Sequence, residues 1–209
     1  MSEKTCPHCG SEITLRSALA KLIQCNHCAS TVLVEPAGVR LSNIKSTIQS
    51  KLSLIKQGGN FTWKHQQFQP QGFIQLKHDE GFRQEWWVLD NNENSYWLSE
   101  EDESFFLLQD AKISDEMLKD IPPWLTLQVN KQIQLVGKSW LVTEKRTQHY
   151  YGFEGELPYI PDQKETINTT YLTGENAESL VLIFENNKPR IRQGYWLDPF
   201  EINVQGIAV

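Results

Sequence analysis

All four cysteines of this 209-residue chain fall within its first 28 residues, as the turns Cys6-Pro7-His8-Cys9 and Cys25-Asn26-His27-Cys28. Fifteen residues separate the two CxxC pairs. That is the spacing of a treble-clef or ribbon-type zinc site, in which each tight turn presents two thiolates to one tetrahedral metal. A closed four-thiolate set has no open coordination position, which points to a structural rather than a catalytic ion. Two readings stand beside structural zinc. A rubredoxin-like iron centre uses the same four ligands, and a redox switch would oxidise the pairs once zinc leaves. No βαβ pattern surrounds either pair, so a thioredoxin-like dithiol is not expected. His8 and His27 sit mid-turn and are expected at the surface. Gly10 suits the left-handed conformation such a turn often needs, whereas Ala29 holds the same place in the second turn.

Residues 1–37 are assigned to this zinc-ribbon module. A unit of that size cannot fold on apolar contacts alone. Zinc supplies the difference, an apparent ~10–16 kcal/mol in small zinc modules.

Residues 38–58 read differently. Leu41, Ile44, Ile48, Leu52 and Ile55 recur at spacings of three and four, which predicts an amphipathic linker helix. Arg40, Lys45, Lys51 and Lys56 are interrupted by no acid. Two settings suit such a helix: a connector packed on the following domain, or a peripheral contact with an anionic membrane, its lysines snorkelling.

From residue 59 to 209 the pattern is β. Seven Trp, six Tyr and nine Phe favour a pleated, packed surface. Short aromatic strands at 73–76, 85–89, 95–98 and 105–108 alternate with polar turns, the pattern of a meander. Residues 114–120 are expected to make one or two helical turns. A second β-run follows at 132–136, 139–143, 149–153, 180–185 and 189–196, with a hairpin turn at Asn186-Asn187. The fold class is therefore mainly β: a small zinc ribbon, a linker helix and an aromatic-rich antiparallel β domain. Two similar halves, 59–110 and 129–209, are suggested by Tyr96-Trp97-Leu98 and Tyr195-Trp196-Leu197.

The net charge is −6, which argues against broad nucleic-acid binding. No secretory h-region and no long apolar run is present, so a cytoplasmic, soluble protein with reduced thiols is expected. P-loop, GxGxxG, GxSxG and HExxH patterns are absent, which leaves nucleotide use and standard hydrolase chemistry without support.

Several runs resemble a bacterial family known as domain of unknown function 4178. They are Glu85-Trp86-Trp87-Val88-Leu89, Tyr96-Trp97-Leu98-Ser99-Glu100, Phe153-Glu154-Gly155-Glu156-Leu157-Pro158 and Gly194-Tyr195-Trp196. The resemblance implies a β domain often preceded by a cysteine module, a bacterial membrane-stress setting and no transferable activity.

Three further constellations carry candidate chemistry. Asp90, Asn92, Asn94 and Glu101 fall at calcium-loop positions, but Ser95 replaces the required glycine and strands flank the segment, so a polar hairpin turn is expected. Glu154, Glu156 and His149 form the one candidate polar site for an enzyme or small-ligand sensor. Adjacent Trp86 and Trp87 point to opposite strand faces. One of them therefore leaves the core as a protein-binding surface, or both faces are covered. Together these features favour a non-enzymatic, zinc-binding adaptor or scaffold, with Trp86, Trp87, Lys45, Lys51 and Lys56 as its candidate interaction surface. The alternatives are the enzyme or sensor, and a nucleic-acid-binding zinc ribbon.

Overall fold

Polar turns cut the aromatic-rich chain into strands, and the strands find partners both near and far along the sequence. A computed structural model describes residues 4–112, 114–185 and 188–205. The expected hairpin turn at Asn186-Asn187 lies outside the described residues.

The cysteine module contains β1 (Lys4–Thr5), β2 (Glu12–Ile13), β3 (Leu22–Gln24), β4 (Thr31–Glu35) and β5 (Gly38–Leu41). After β6 (Asn60–Trp63) comes a four-stranded meander: β7 (Gln66–His78), β8 (Gly81–Asp90), β9 (Ser95–Glu101) and β10 (Ser104–Asp110). A short helix α1 (Asp115–Lys119) follows, its first turn capped by the Ser114 hydroxyl, which accepts from the Met117 amide at 3.3 Å. Then come β11 (Gln132–Leu135) and a second meander: β12 (Lys138–Leu157), β13 (Thr166–Thr173), β14 (Glu178–Glu185) and β15 (Lys188–Leu197). β16 (Asn203–Gln205) pairs with β6.

The two meanders join at both edges. β10 pairs antiparallel with β15, and β7 pairs antiparallel with β12. The eight strands therefore close into a ring, which removes the exposed edges an open sheet would present. Tyr96-Trp97-Leu98 lies on the third strand of its meander and Tyr195-Trp196-Leu197 on the fourth of the other. The two tripeptides thus occupy non-equivalent places in the two four-stranded meanders.

Alternation along the strands gives the ring two chemically different faces. Inside, Ile74, Glu85, Leu108, Tyr171, Val181 and Arg192 from six strands surround a cavity of about 30 Å³, room for one or two waters. Charge is built into this inner face. Arg192 reaches Glu85 at 3.0 Å and Asp110 at 3.1 Å, and its guanidinium stacks on Trp97 at 4.3 Å. Arg83 contacts Glu101 and Glu144 and stacks on Tyr171 at 4.1 Å. His78 Nε2 lies 2.8 Å from Glu101.

The outer face carries two covered apolar cores. Phe61, Phe68, Phe73, Trp86 and Leu98 pack under Ile55 and Ile202. On the second meander, Val142, Leu172 and Leu182 pack under Ile121 and Leu127 from the connection between the two halves of the ring.

Residues 42–58 correct the expected linker helix. Residues 38–41 form β5, and from Ser42 onward the chain runs extended as a strap across the ring. Ile44, Ile48 and Ile55 face the protein, whereas Leu52 is 98% exposed. A spacing of four satisfies both the helical and the extended period, so the Ile44–Ile48 pair cannot tell them apart. Side chains of the ring settle the matter by bonding to the strap's backbone. Gln75 accepts from the Gln49 amide at 2.7 Å and donates to the Gln49 carbonyl at 2.9 Å. The Tyr150 hydroxyl donates to the Lys45 carbonyl. Ser53 donates to Glu100 at 2.6 Å. A helix would have to give up the bonds to the Gln49 and Lys45 backbone groups. The strap lies so close at Gly152 that a Cβ there would sit 1.9 Å from the Thr47 carbonyl oxygen.

Candidate metal centre

The two CxxC turns fold alike because each is closed by the same pair of backbone bonds. The Gly10 amide donates to the Cys6 carbonyl and the Cys6 amide to the Ser11 carbonyl. In the second turn, Ala29 donates to Cys25 and Cys25 to Ser30. Gly10 has φ 75°, and Ala29 takes the same left-handed region at φ 56° despite its Cβ.

The four sulfurs lie within 4.8 Å of one another. Cys6 and Cys28 approach to 3.7 Å and Cys9 and Cys25 to 3.8 Å. The edge of a sulfur tetrahedron with metal–sulfur bonds of ~2.3 Å is about 3.8 Å, so the cluster has the size of a four-thiolate metal site. Cys6 and Cys25 are buried against Ile13, Ile23 and Val32, while Cys9 is exposed. Burial pushes the Cys6 thiol up to about 11. The Ser30 hydroxyl and amide hold Cys28 down to about 5. A bound cation would deprotonate the buried thiol as well.

The module is continuous with the ring rather than tethered to it. β12 outruns its ring partners, and its last residues pair with β3, Glu156 opposite Ile23 and Leu157 opposite Leu22. The Glu-Gly-Glu-Leu-Pro run makes this junction. Gly155 has φ 79° and lies against the Gln71 carbonyl, letting the strand turn out of the ring. Glu156 is 2% exposed. Its two carboxylate oxygens accept from the Arg16 amide at 2.7 Å and the Ser17 amide at 3.2 Å, in the loop between the two cysteine pairs. Leu157 packs with Leu22, Leu33 and Phe153. From the same loop, Ala20 packs against Trp87 and Trp97.

The other residues singled out from the sequence are dispersed in role. Glu156 is engaged as just described. Glu154 is half-buried opposite Phe73, and His149 is exposed between Lys77 and Thr166. Trp86 and Trp87 are 3% and 0% exposed, so the candidate interaction surface is corrected there: both strand faces are covered, and neither ring offers a surface. Lys45 and Lys56 are exposed, and Lys51 donates to the Phe82 carbonyl at 2.8 Å and to Asp102. With no helix beneath them, these lysines do not form the helical face expected for a membrane surface. The Asp90 carboxylate is taken up by its own hairpin. Although burial opposes it, bonds from Asn94, Asn92 and Gln66 hold it below the usual carboxylate range.

The anchorage missed in the sequence is the pairing of Glu156 with the Arg16–Ser17 amides. Its signal in the sequence was an acid set between Gly155 and Leu157 at the strand end. Burial raises the Glu156 pKa, with the two amide bonds opposing. A raised folded-state value means stability that is full below the ordinary carboxylate range and is lost as pH rises through the folded value. Glu156→Gln is therefore expected to flatten the loss of stability with rising pH, by its share. Glu100, raised by burial in the same sense, retains the remainder. Glu156→Ala strands both amides and is expected to cost about 1–3 kcal/mol. Urea unfolding across the pH range distinguishes the two variants.

A closed antiparallel ring with a four-cysteine metal-site module built onto one strand end is the class of protein this geometry defines. The chain belongs to the family described as Domain of unknown function (DUF4178), which matches residues 56–199. The match spans β6 to β15 and leaves the cysteine module and most of the strap outside it. No curated protein and no solved structure matches the chain. No helix among the described residues is long and apolar enough to cross a membrane.

Proposed function

We propose that Cys6, Cys9, Cys25 and Cys28 hold one structural zinc ion and that the chain is a non-enzymatic adaptor. In this reading the zinc module and the ring form one rigid body that presents surfaces to partner proteins in the reducing cytoplasm. The bacterial membrane-stress setting suggested by the family resemblance is part of the proposal. The observation that carries it is the attachment of the cysteine loop to the ring through Glu156. A carboxylate whose two oxygens are both bonded to backbone amides is occupied as a strut. That supports a structural role at the place where an acid/base site was the alternative. The four-sulfur cluster likewise supports a closed, structural ion.

Elemental analysis of the protein purified without added metal tests the first half, with one zinc per chain expected. Iron with visible absorption, or no metal, would overturn it. Affinity purification from the native cell, using the wild type beside Cys25→Ser, tests the second half. A defined partner set that depends on an intact module is expected. Turnover on a substrate that is lost in Glu156→Gln would replace the adaptor with an enzyme.

A further inference from the structure

A two-residue hairpin loop, Lys64-His65, joins β6 to β7, with Trp63 opposite Gln66 across it. Both loop residues are left-handed, at φ 45° and 66°. Such a turn is the habitat of Asn-Gly, and two residues with long side chains hold it under strain. The consequence is positional. The Lys64 ammonium sits 4.4 Å from the centroid of its neighbour Trp63 and 5.4 Å from that of Tyr195, which comes from β15. The two rings are 5.9 Å apart at 42°, an open cleft. The Trp63 indole is fixed by donation to Glu201 at 3.2 Å. Tyr195 is 41% exposed.

The same rings line a groove of about 380 Å³ on the outer face of β10 and β15, which Ala111 also borders. That volume falls in the range of small-ligand sites. Leu107 and Gly194 lie on its floor, beside the cross-strand pair Gln109–Gln193. Asp110 and Glu178 also line it, Glu178 directly across from Tyr195 on β14, and both are already matched, by Arg192 and Lys138. The site therefore has a single place for an unmatched positive charge, over the two rings.

We infer that Trp63 and Tyr195 form a binding site for a monocationic alkylammonium group, with Lys64 as its resident, displaceable occupant. The ring faces attract a cation electrostatically, and the strongly hydrated ammonium of Lys64 is held there by local geometry rather than by an acid. An incoming ammonium gains the same faces, and the amides of Gln109 and Gln193 are available to whatever the ammonium is attached to. That group is a free amine or the lysine side chain of a peptide.

The test follows the Trp63 indole N–H in ¹H–¹⁵N spectra. The full-length protein is titrated with n-butylammonium chloride or Nα-acetyl-lysine methylamide, against sodium chloride at equal ionic strength. A saturable shift is expected with both amines and not with sodium. Lys64→Asn suits the left-handed turn and removes the occupant, so it is expected to bind about two- to five-fold more tightly. Tyr195→Ala, a change at a partly exposed position, is expected to lose binding while the remaining spectrum stays native. Tighter binding of the lysine amide than of butylammonium assigns the site to a peptide, and equal binding assigns it to a free amine. No saturable shift in Lys64→Asn, or an undiminished one in Tyr195→Ala, overturns the inference. The outcome is independent of the metal centre.

Discussion

Arg192→Met is expected to destabilise the protein by about 3–5 kcal/mol, far more than any exposed ion pair would cost. The Arg192 side chain is 5% exposed and its partner Glu85 is 9% exposed. Methionine fills much of the same space and keeps contact with Trp97, so cavity formation is small. What remains is the Glu85 carboxylate, enclosed by the ring with its cation gone. Asp110 is 59% exposed and regains water, so it adds little to the loss. The double variant Arg192→Met/Glu85→Met removes both charges and should recover most of the stability, since buried pairs replaced by apolar side chains are often neutral. Arg190→Met is the control. Arg190 is 37% exposed and pairs with the partly exposed Glu185, so a loss below about 1 kcal/mol is expected. Urea unfolding of the four proteins supplies the measurement. A single variant no worse than the control would show that the inner charges do not hold the ring together.

This interior was legible in part. In the run Phe82-Arg83-Gln84-Glu85-Trp86-Trp87-Val88-Leu89, alternate positions Arg83, Glu85, Trp87 and Leu89 share a face, and the two charges fall on the same side as two large apolar residues. Read alone, that face is ambiguous between a solvated surface and a closed interior. The answer depends on β7 meeting β12 and β10 meeting β15, pairings between residues about 80 apart along the chain. No local pattern encodes them. The strands themselves were more visible, because aromatic and β-branched residues between Asp-Asn and Glu-Gly turns leave few other choices. β13 was missed: Thr-Ile-Asn-Thr-Thr-Tyr-Leu-Thr carries β-branched residues but little hydrophobicity, and the ring buries Thr169 and Thr170 among its members. The reverse error fell on residues 38–58. There an apolar rhythm was present, but the bonds that decide its conformation come from Gln75 and Tyr150, far away in sequence. At the metal centre the ligands were plain from spacing, since a tight turn is a local object. The anchorage through Glu156 was not, because it joins residues about 140 apart.

Metal removal is where that anchorage has its largest consequence. Stripping the ion with a high-affinity chelator is expected to lower the melting temperature by roughly 5–16 °C. This corresponds to the about 2.7–4.1 kcal/mol lost when a ligand present at 100–1,000 times its dissociation constant is withdrawn. The ring should nevertheless survive. Its eight strands close without the module, and the outer cores under Ile55 and under Ile121 contain no residue of the cysteine turns. Hydrogen exchange is therefore expected to divide the chain. Protection falls throughout both CxxC turns, at the amides of Cys6, Gly10, Cys25 and Ala29, which donate to carbonyls within the turns. It persists in β8, β9, β14 and β15. The Lys21 amide is intermediate, since it donates to the Leu157 carbonyl and so belongs to both units. Cys25→Ser should reproduce the pattern in the presence of metal, because Cys25 is buried and the chain has no fifth cysteine to replace it. Glu156→Ala in the metal-bound protein should expose the Arg16 and Ser17 amides alone. If chelation instead unfolds β8 and β14 together with the turns, the module is part of the ring's own cooperative unit, and the metal holds the whole protein rather than its appended loop.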